Sequence, residues 1–144
     1  KILLAFLVSF SSFNTFARDL SAVDKFTTYL PIGNYTGMND YKQACEVSVS
    51  EINFPDKNLL VKITVANKVL TKVIEDHSIF KYRDNKREFI QTDTKSFGAD
   101  GVNYVERIIR TVRAENNKQY VTVSYSVVTN RSSENESLYC VVDL

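Results

Sequence analysis

A chain of 144 residues with 18 basic and 17 acidic side chains has almost no net charge, which removes the electrostatic footprint needed to hold nucleic acid or coat an anionic membrane. The length suits one domain, and 44% hydrophobic residues supply a modest core. With one histidine and two cysteines, the chain offers little from which to build a metal centre.

Residues 1–17, KILLAFLVSFSSFNTFA, read as a secretory signal peptide. Lys1 is a positive start, 2–8 is an unbroken apolar run, and Thr15 and Ala17 place small residues at −3 and −1 of a cleavage site. The run is shorter than the ~20 apolar residues of a membrane-spanning helix. The expectation is cleavage after Ala17, a single domain over 18–144, no membrane span after cleavage, and a periplasmic or secreted location.

The spacing of Val23, Phe26 and Leu30 predicts one short helix within 18–30. Ser21 and Asp24 form a short capping pattern at its start, and Pro31 and Gly33 stop it. A helix this short persists only if its apolar stripe packs on something, so these three residues are expected to close one end of a sheet.

From residue 34 onward the period changes to two. Cys45, Val47 and Val49 alternate with Glu46, Ser48 and Ser50, and Val121, Val123, Tyr125 and Val127 alternate with Thr122, Ser124 and Ser126. Such alternation marks strands with one wet face. Strands are predicted near 34–38, 43–53, 58–66, 69–76, 78–84, 87–94, 102–114, 118–130 and 136–143. Between them lie turn-like segments at 55–57, 84–85, 98–101, 116–117 and 131–136, with Asp84-Asn85 and Asn116-Asn117 suited to tight hairpins. The fold class is all-β: an antiparallel meander of about eight or nine strands, closed or nearly closed into a barrel, with one short N-terminal helix. An open sandwich is the alternative. Lys62, Lys72, Arg107 and Arg110 fall inside strands, which argues against the tall apolar bands of an outer-membrane barrel.

Cys45 and Cys140 are an even pair in a chain read as exported, so a disulfide is expected. It would tie the first long strand to the last, which become neighbours when a barrel closes.

No residue pattern calls for catalysis. His77, the lone histidine, sits in the turn-like Glu75-Asp76-His77-Ser78, and no serine has the G-x-S-x-G context of a nucleophile elbow. Glu75 and Asp76 are adjacent, and adjacent strand residues point to opposite faces. No catalytic residue, metal ligand or cofactor is assigned. Lys81, Arg83, Lys86 and Arg87 with Tyr82 and Phe89 form a basic hairpin with aromatic neighbours, a combination able to bind single-stranded nucleic acid. Asp84 and Glu88 dilute it, so a solvated hairpin tip is the expectation. Asn34, Asn130 and Asn135 begin N-glycosylation sequons, which matter only on a eukaryotic secretory route. Among the tyrosines, Tyr35, Tyr104, Tyr120 and Tyr125 have the amphipathic character to line a cavity.

The stretch 30–37, LPIGNYTG, after a short helix and before a meander, resembles the start of a lipocalin barrel. There a helical turn closes the barrel base and Gly-x-Trp follows on the first strand; here Gly33-Asn34-Tyr35 takes that place, with Tyr for Trp. The resemblance implies a ligand-holding cup, with Tyr35 packing the base. The expected function is that of an exported, non-enzymatic protein holding a small apolar or amphipathic ligand in a β-barrel, with Tyr35, Tyr104 and Tyr125 as candidate ligand contacts. The alternative is a protein-interaction domain, either an inhibitor of a secreted enzyme or an envelope accessory factor. Partners are thus a small ligand or an exported protein, and not nucleic acid.

Overall fold

The computed structural model describes residues 20–53, 56–97, 101–131 and 135–144. The expected signal peptide over 1–17 lies outside them, as do parts of the turns expected near 55, 98–100 and 132–134. The described chain is a short helix α1 (Ala22–Thr27) followed by nine strands: β1 (Gly33–Met38), β2 (Ala44–Asn53), β3 (Lys57–Val65), β4 (Lys68–Glu75), β5 (Phe80–Arg83), β6 (Glu88–Phe97), β7 (Val102–Glu115), β8 (Lys118–Thr129) and β9 (Glu136–Asp143). The strands form one antiparallel sheet in the order β4-β3-β2-β1-β9-β8-β7-β6-β5, curled into a half-barrel. The predicted all-β meander is the fold, with each expected strand in place.

Strand direction alternates across an antiparallel sheet, so the two edge strands, eight steps apart, run the same way. Only residues 76–79 separate β4 from β5 in the chain. They are therefore two lengths of one broken strand, the first paired with β3 and the second with β6. The helix docks at the break, where the Ala22 amide donates to the Asp76 carbonyl at 3.1 Å.

The helix follows from its sequence. The Ser21 hydroxyl accepts from the Asp24 amide at 3.1 Å, an N-cap, and Thr27 and Thr28 turn their hydroxyls back onto helix carbonyls. Val23, Phe26 and Leu30 are all buried in the core, as the spacing predicts. Phe26 meets Phe89 edge-on at 5.4 Å, and Phe80 stacks on Phe89 at 5.1 Å, which seals this end of the curl with aromatic rings.

The disulfide between Cys45 and Cys140 is present, with the Cα atoms 5.7 Å apart. The strands it joins are not hydrogen-bonded neighbours, however: β1 lies between β2 and β9. Gly37 explains how the bond still forms. It pairs with Cys45 on one side and Val142 on the other, and a Cβ there would stand 1.8 Å from the Val141 carbonyl oxygen. With no side chain at 37, β9 passes close over β1 and brings Cys140 within reach of β2. The β1–β9 pairing is brief, Gly37 to Val142 and Met38 to Val141.

Two hairpins differ instructively. Asn116 and Asn117 both take left-handed φ (51° and 62°) between the paired Glu115 and Lys118, the tight turn expected of them. The turn expected at Asp84-Asn85 is longer. Asp84–Lys86 makes a 3-10 turn, and the left-handed residue is Arg87 at φ 47°. Here the Arg87 amide closes the loop on the Asp84 carbonyl at 3.1 Å, so two central residues do not suffice.

Candidate functional site

Two cations that alternation places on the inner face of the curl define its polar interior. Lys72 lies between Leu70 and Ile74 on β4 and is 3% exposed; Arg110 lies between Ile108 and Val112 on β7 and is fully buried. Lys62 and Arg107 point outward. A buried cation requires compensation, and the two obtain it differently.

Lys72 reaches across the opening between β4 and β6. Its ammonium bonds to Asp93 on β6 and donates to Glu106 Oε2 on β7 at 2.9 Å. Lys95 joins Glu106 at 3.0 Å, and Gln91 Nε2 donates to Asp93 at 3.3 Å. Burial alone would raise the Glu106 pKa, but the hydrogen bonds from Lys72 and Lys95 outweigh it and hold the carboxyl below its ordinary value. Tyr125 sits beside this cluster; burial first, then the Glu106 charge and hydrogen bond, push its phenol well above the usual value. Within this cluster the cations and carboxylates satisfy one another, an arrangement that ties β4 to β6 and β7 without backbone pairing.

Arg110 has no carboxylate partner among the described residues. One nitrogen, Nη2, donates to the Lys25 carbonyl at 3.0 Å, supplying a hydrogen bond to a terminal helix carbonyl. The guanidinium lies 5.2 Å from the Tyr29 ring and 5.8 Å from that of Phe26, while Nε and Nη1 are buried without a hydrogen-bond partner. Burial lowers its pKa to about 10. Lys25 itself lies over the Tyr82 ring at 3.6 Å. These contacts clamp the helix to the sheet and occupy that end of the curl.

The end opposite the helix is differently built. The β3–β4 turn, with Ala66 at φ 52°, and the start of β9 face each other across a cleft of about 250 Å³ lined by Asn67, Lys68, Val69, Leu70, Glu136, Ser137 and Leu138. A second cleft of about 390 Å³ shares Asn67, Lys68, Ser137 and Leu138 and extends to Val65, Tyr41 and Tyr139. Its far wall is the β1–β2 turn, where Asn39 Oδ1 accepts from the amides of Tyr41 and Gln43, both at 3.0 Å. The Asp40 amide donates to the Tyr139 hydroxyl at 3.0 Å, which fixes the turn to β9. The two clefts meet at Leu138, itself part of the core.

The three candidate tyrosines do not converge on one place. Tyr35 is half-buried near the helix, its hydroxyl donating to the Pro31 carbonyl at 2.8 Å across the helix-to-strand join. Tyr125 is buried beside Glu106, and Tyr104 is half-buried toward the start of β7. Tyr120, the fourth amphipathic tyrosine, stacks with Arg113 at 5.6 Å. His77 is exposed at the strand break, 3.4 Å from Glu75. Among the described residues no group of three metal-ligating side chains gathers. No helix among them is long and apolar enough to cross a membrane.

Period-two alternation already carried the signal for the inward Lys72 and Arg110, since each shares the parity of buried aliphatic neighbours. The facing clefts had no such signal, because residues 65–70 and 136–139 come together only in the folded sheet. Compared with known proteins, the chain matches no family model, no curated protein and no solved structure.

Proposed function

We propose that this is an exported, non-enzymatic binding protein that takes a small, uncharged amphipathic ligand at the open mouth of its half-barrel. The observation that carries this reading is the pair of contiguous clefts meeting at Leu138, at the end the helix leaves uncovered. Val65, Leu70 and Leu138 offer an apolar floor, and Asn67, Ser137 and the opposed charges of Lys68 and Glu136 a polar rim of no net charge. The other end is filled by Phe26, Phe80, Phe89 and Arg110, which argues for the mouth over the interior as the place of binding. Export is supported by the reading of 1–17 as a signal peptide and by the disulfide.

The test is a titration with the uncharged probe N-phenyl-1-naphthylamine, followed by amide NMR shifts. Shifts confined to 65–70 and 136–139, lost in a folded Leu70→Arg variant, are the expected result. Shifts elsewhere, or none, overturn the reading. A second reading, protein interaction through the same rim, is favoured by the exposure there of Tyr41 (80%).

A further inference from the structure

The outer face of β5, β6 and β7 carries a groove of about 450 Å³ that shares no residue with the mouth. Its floor is apolar: Ile90 and Ile109 are directly opposite one another on β6 and β7, and Ile79, 90% exposed, stands at the rim beside Phe80. Outward-facing isoleucines are not needed for the core, which lies on the other side of the sheet.

The same groove is basic. Lys81 pairs across β5 and β6 with Ile90, and Arg107 pairs across β6 and β7 with Thr92, one step along from Ile109. The two cations therefore bracket the isoleucine pair. Among the described residues neither has a carboxylate within ion-pair distance, whereas the third lining cation, Arg83, is neutralised by Glu88 at 3.5 Å. The nearby acids of β6 and β7, Asp93 and Glu106, face the interior and are engaged by Lys72. A chain that is nearly neutral overall thus gathers two unpaired cations around an apolar floor.

From this we infer a second binding site, distinct from the mouth, for a single-chain anionic amphiphile, its hydrocarbon on Ile79, Ile90 and Ile109 and its acidic head between Lys81 and Arg107. The groove's volume lies in the range of small-molecule sites. Its charge complements an acidic head, and its floor matches an alkyl tail. The inference does not rest on the mouth reading.

The test uses the described fold in its full chain and dodecanoate below its micellar concentration, read by amide NMR shifts. Shifts centred on 79–83, 90–92 and 107–109 are expected. A Lys81→Gln/Arg107→Gln double variant, both positions being exposed, should weaken binding about tenfold, and raising salt should do the same to the parent protein. Dodecyltrimethylammonium binding the groove equally well would overturn the charge assignment and with it the proposal. So would a double variant that binds dodecanoate unchanged. Shifts only at 65–70 and 136–139 would assign the amphiphile to the mouth and overturn this site alone. Sedimentation with anionic phosphatidylglycerol vesicles, without shifts from monomeric dodecanoate, would mean a membrane-facing surface and also overturn it.

Discussion

Lys72 on β4 and Glu106 on β7 meet at 2.9 Å across a gap that no backbone hydrogen bond spans. The β4 edge of the curled sheet faces β6 and β7 there, and a partly buried ion cluster holds them together. Removing its cation leaves Asp93 with the hydrogen bond from Gln91 alone and Glu106 with the half-exposed Lys95 alone. Lys72→Met should therefore lower stability by about 3 kcal/mol, measured by urea unfolding at pH 7, with faster amide exchange along β4. A change within ~0.5 kcal/mol would mean the cluster is no more than a surface pair.

The same cluster makes stability depend on acid. The folded-state pKa of Glu106 is depressed, so its contribution is fully present above the unfolded carboxylate value of about 4.3 and is lost as pH falls through the lower folded value. Between pH 5 and pH 2 the parent protein should lose more stability than Glu106→Gln, which starts lower and has no such carboxylate to protonate. Parallel acid limbs for the two proteins would rule this out.

Gly37 and the disulfide are coupled by geometry. Its φ is not left-handed, so Gly37→Ala would ordinarily gain a little by restricting the unfolded chain. Here the new Cβ meets the Val141 carbonyl oxygen at 1.8 Å, and the loss should reach about 3 kcal/mol or more. The Cys45→Ala/Cys140→Ala variant removes a link across 95 residues and should cost about 2–5 kcal/mol. Combining the glycine change with the cysteine change should cost less than the sum, because the same approach of β9 to β2 underlies both.

Arg110 predicts the opposite of Lys72. Among the described residues its buried charge has no counter-ion, and two of its nitrogens lack partners. Arg110→Met removes that burden together with one hydrogen bond to Lys25, so global stability should be unchanged or higher. The helix should nevertheless exchange its amides faster, since the clamp on its last turn is gone. A loss of ~3 kcal/mol or more would show that Arg110 is compensated by more than Lys25, Tyr29 and Phe26.

Phe26 tests the plug itself. The ring is fully buried and meets Phe89. Phe26→Ala should cost about 3–5 kcal/mol by thermal or urea unfolding. A surface-like change would detach the helix from the stability of the sheet.

The sequence by itself determined the local structure. Period-two alternation defined the strands, Val23, Phe26 and Leu30 defined the helix face, and Asn116-Asn117 marked a tight turn, because each signal is a short-range steric or hydrophobic preference written in neighbouring residues; the disulfide followed instead from the even count of two cysteines. The tertiary structure alone decided what depends on how far the sheet curls. That includes β1 lying between the bonded strands, β4 and β5 as one broken strand, Lys72 bridging to Asp93 and Glu106, and the clefts between 65–70 and 136–139. Alternation tells which residues face inward, but not which inward residues of distant strands meet. That is set by twist, by register, and by a single missing Cβ at Gly37 that lets β9 close on β2.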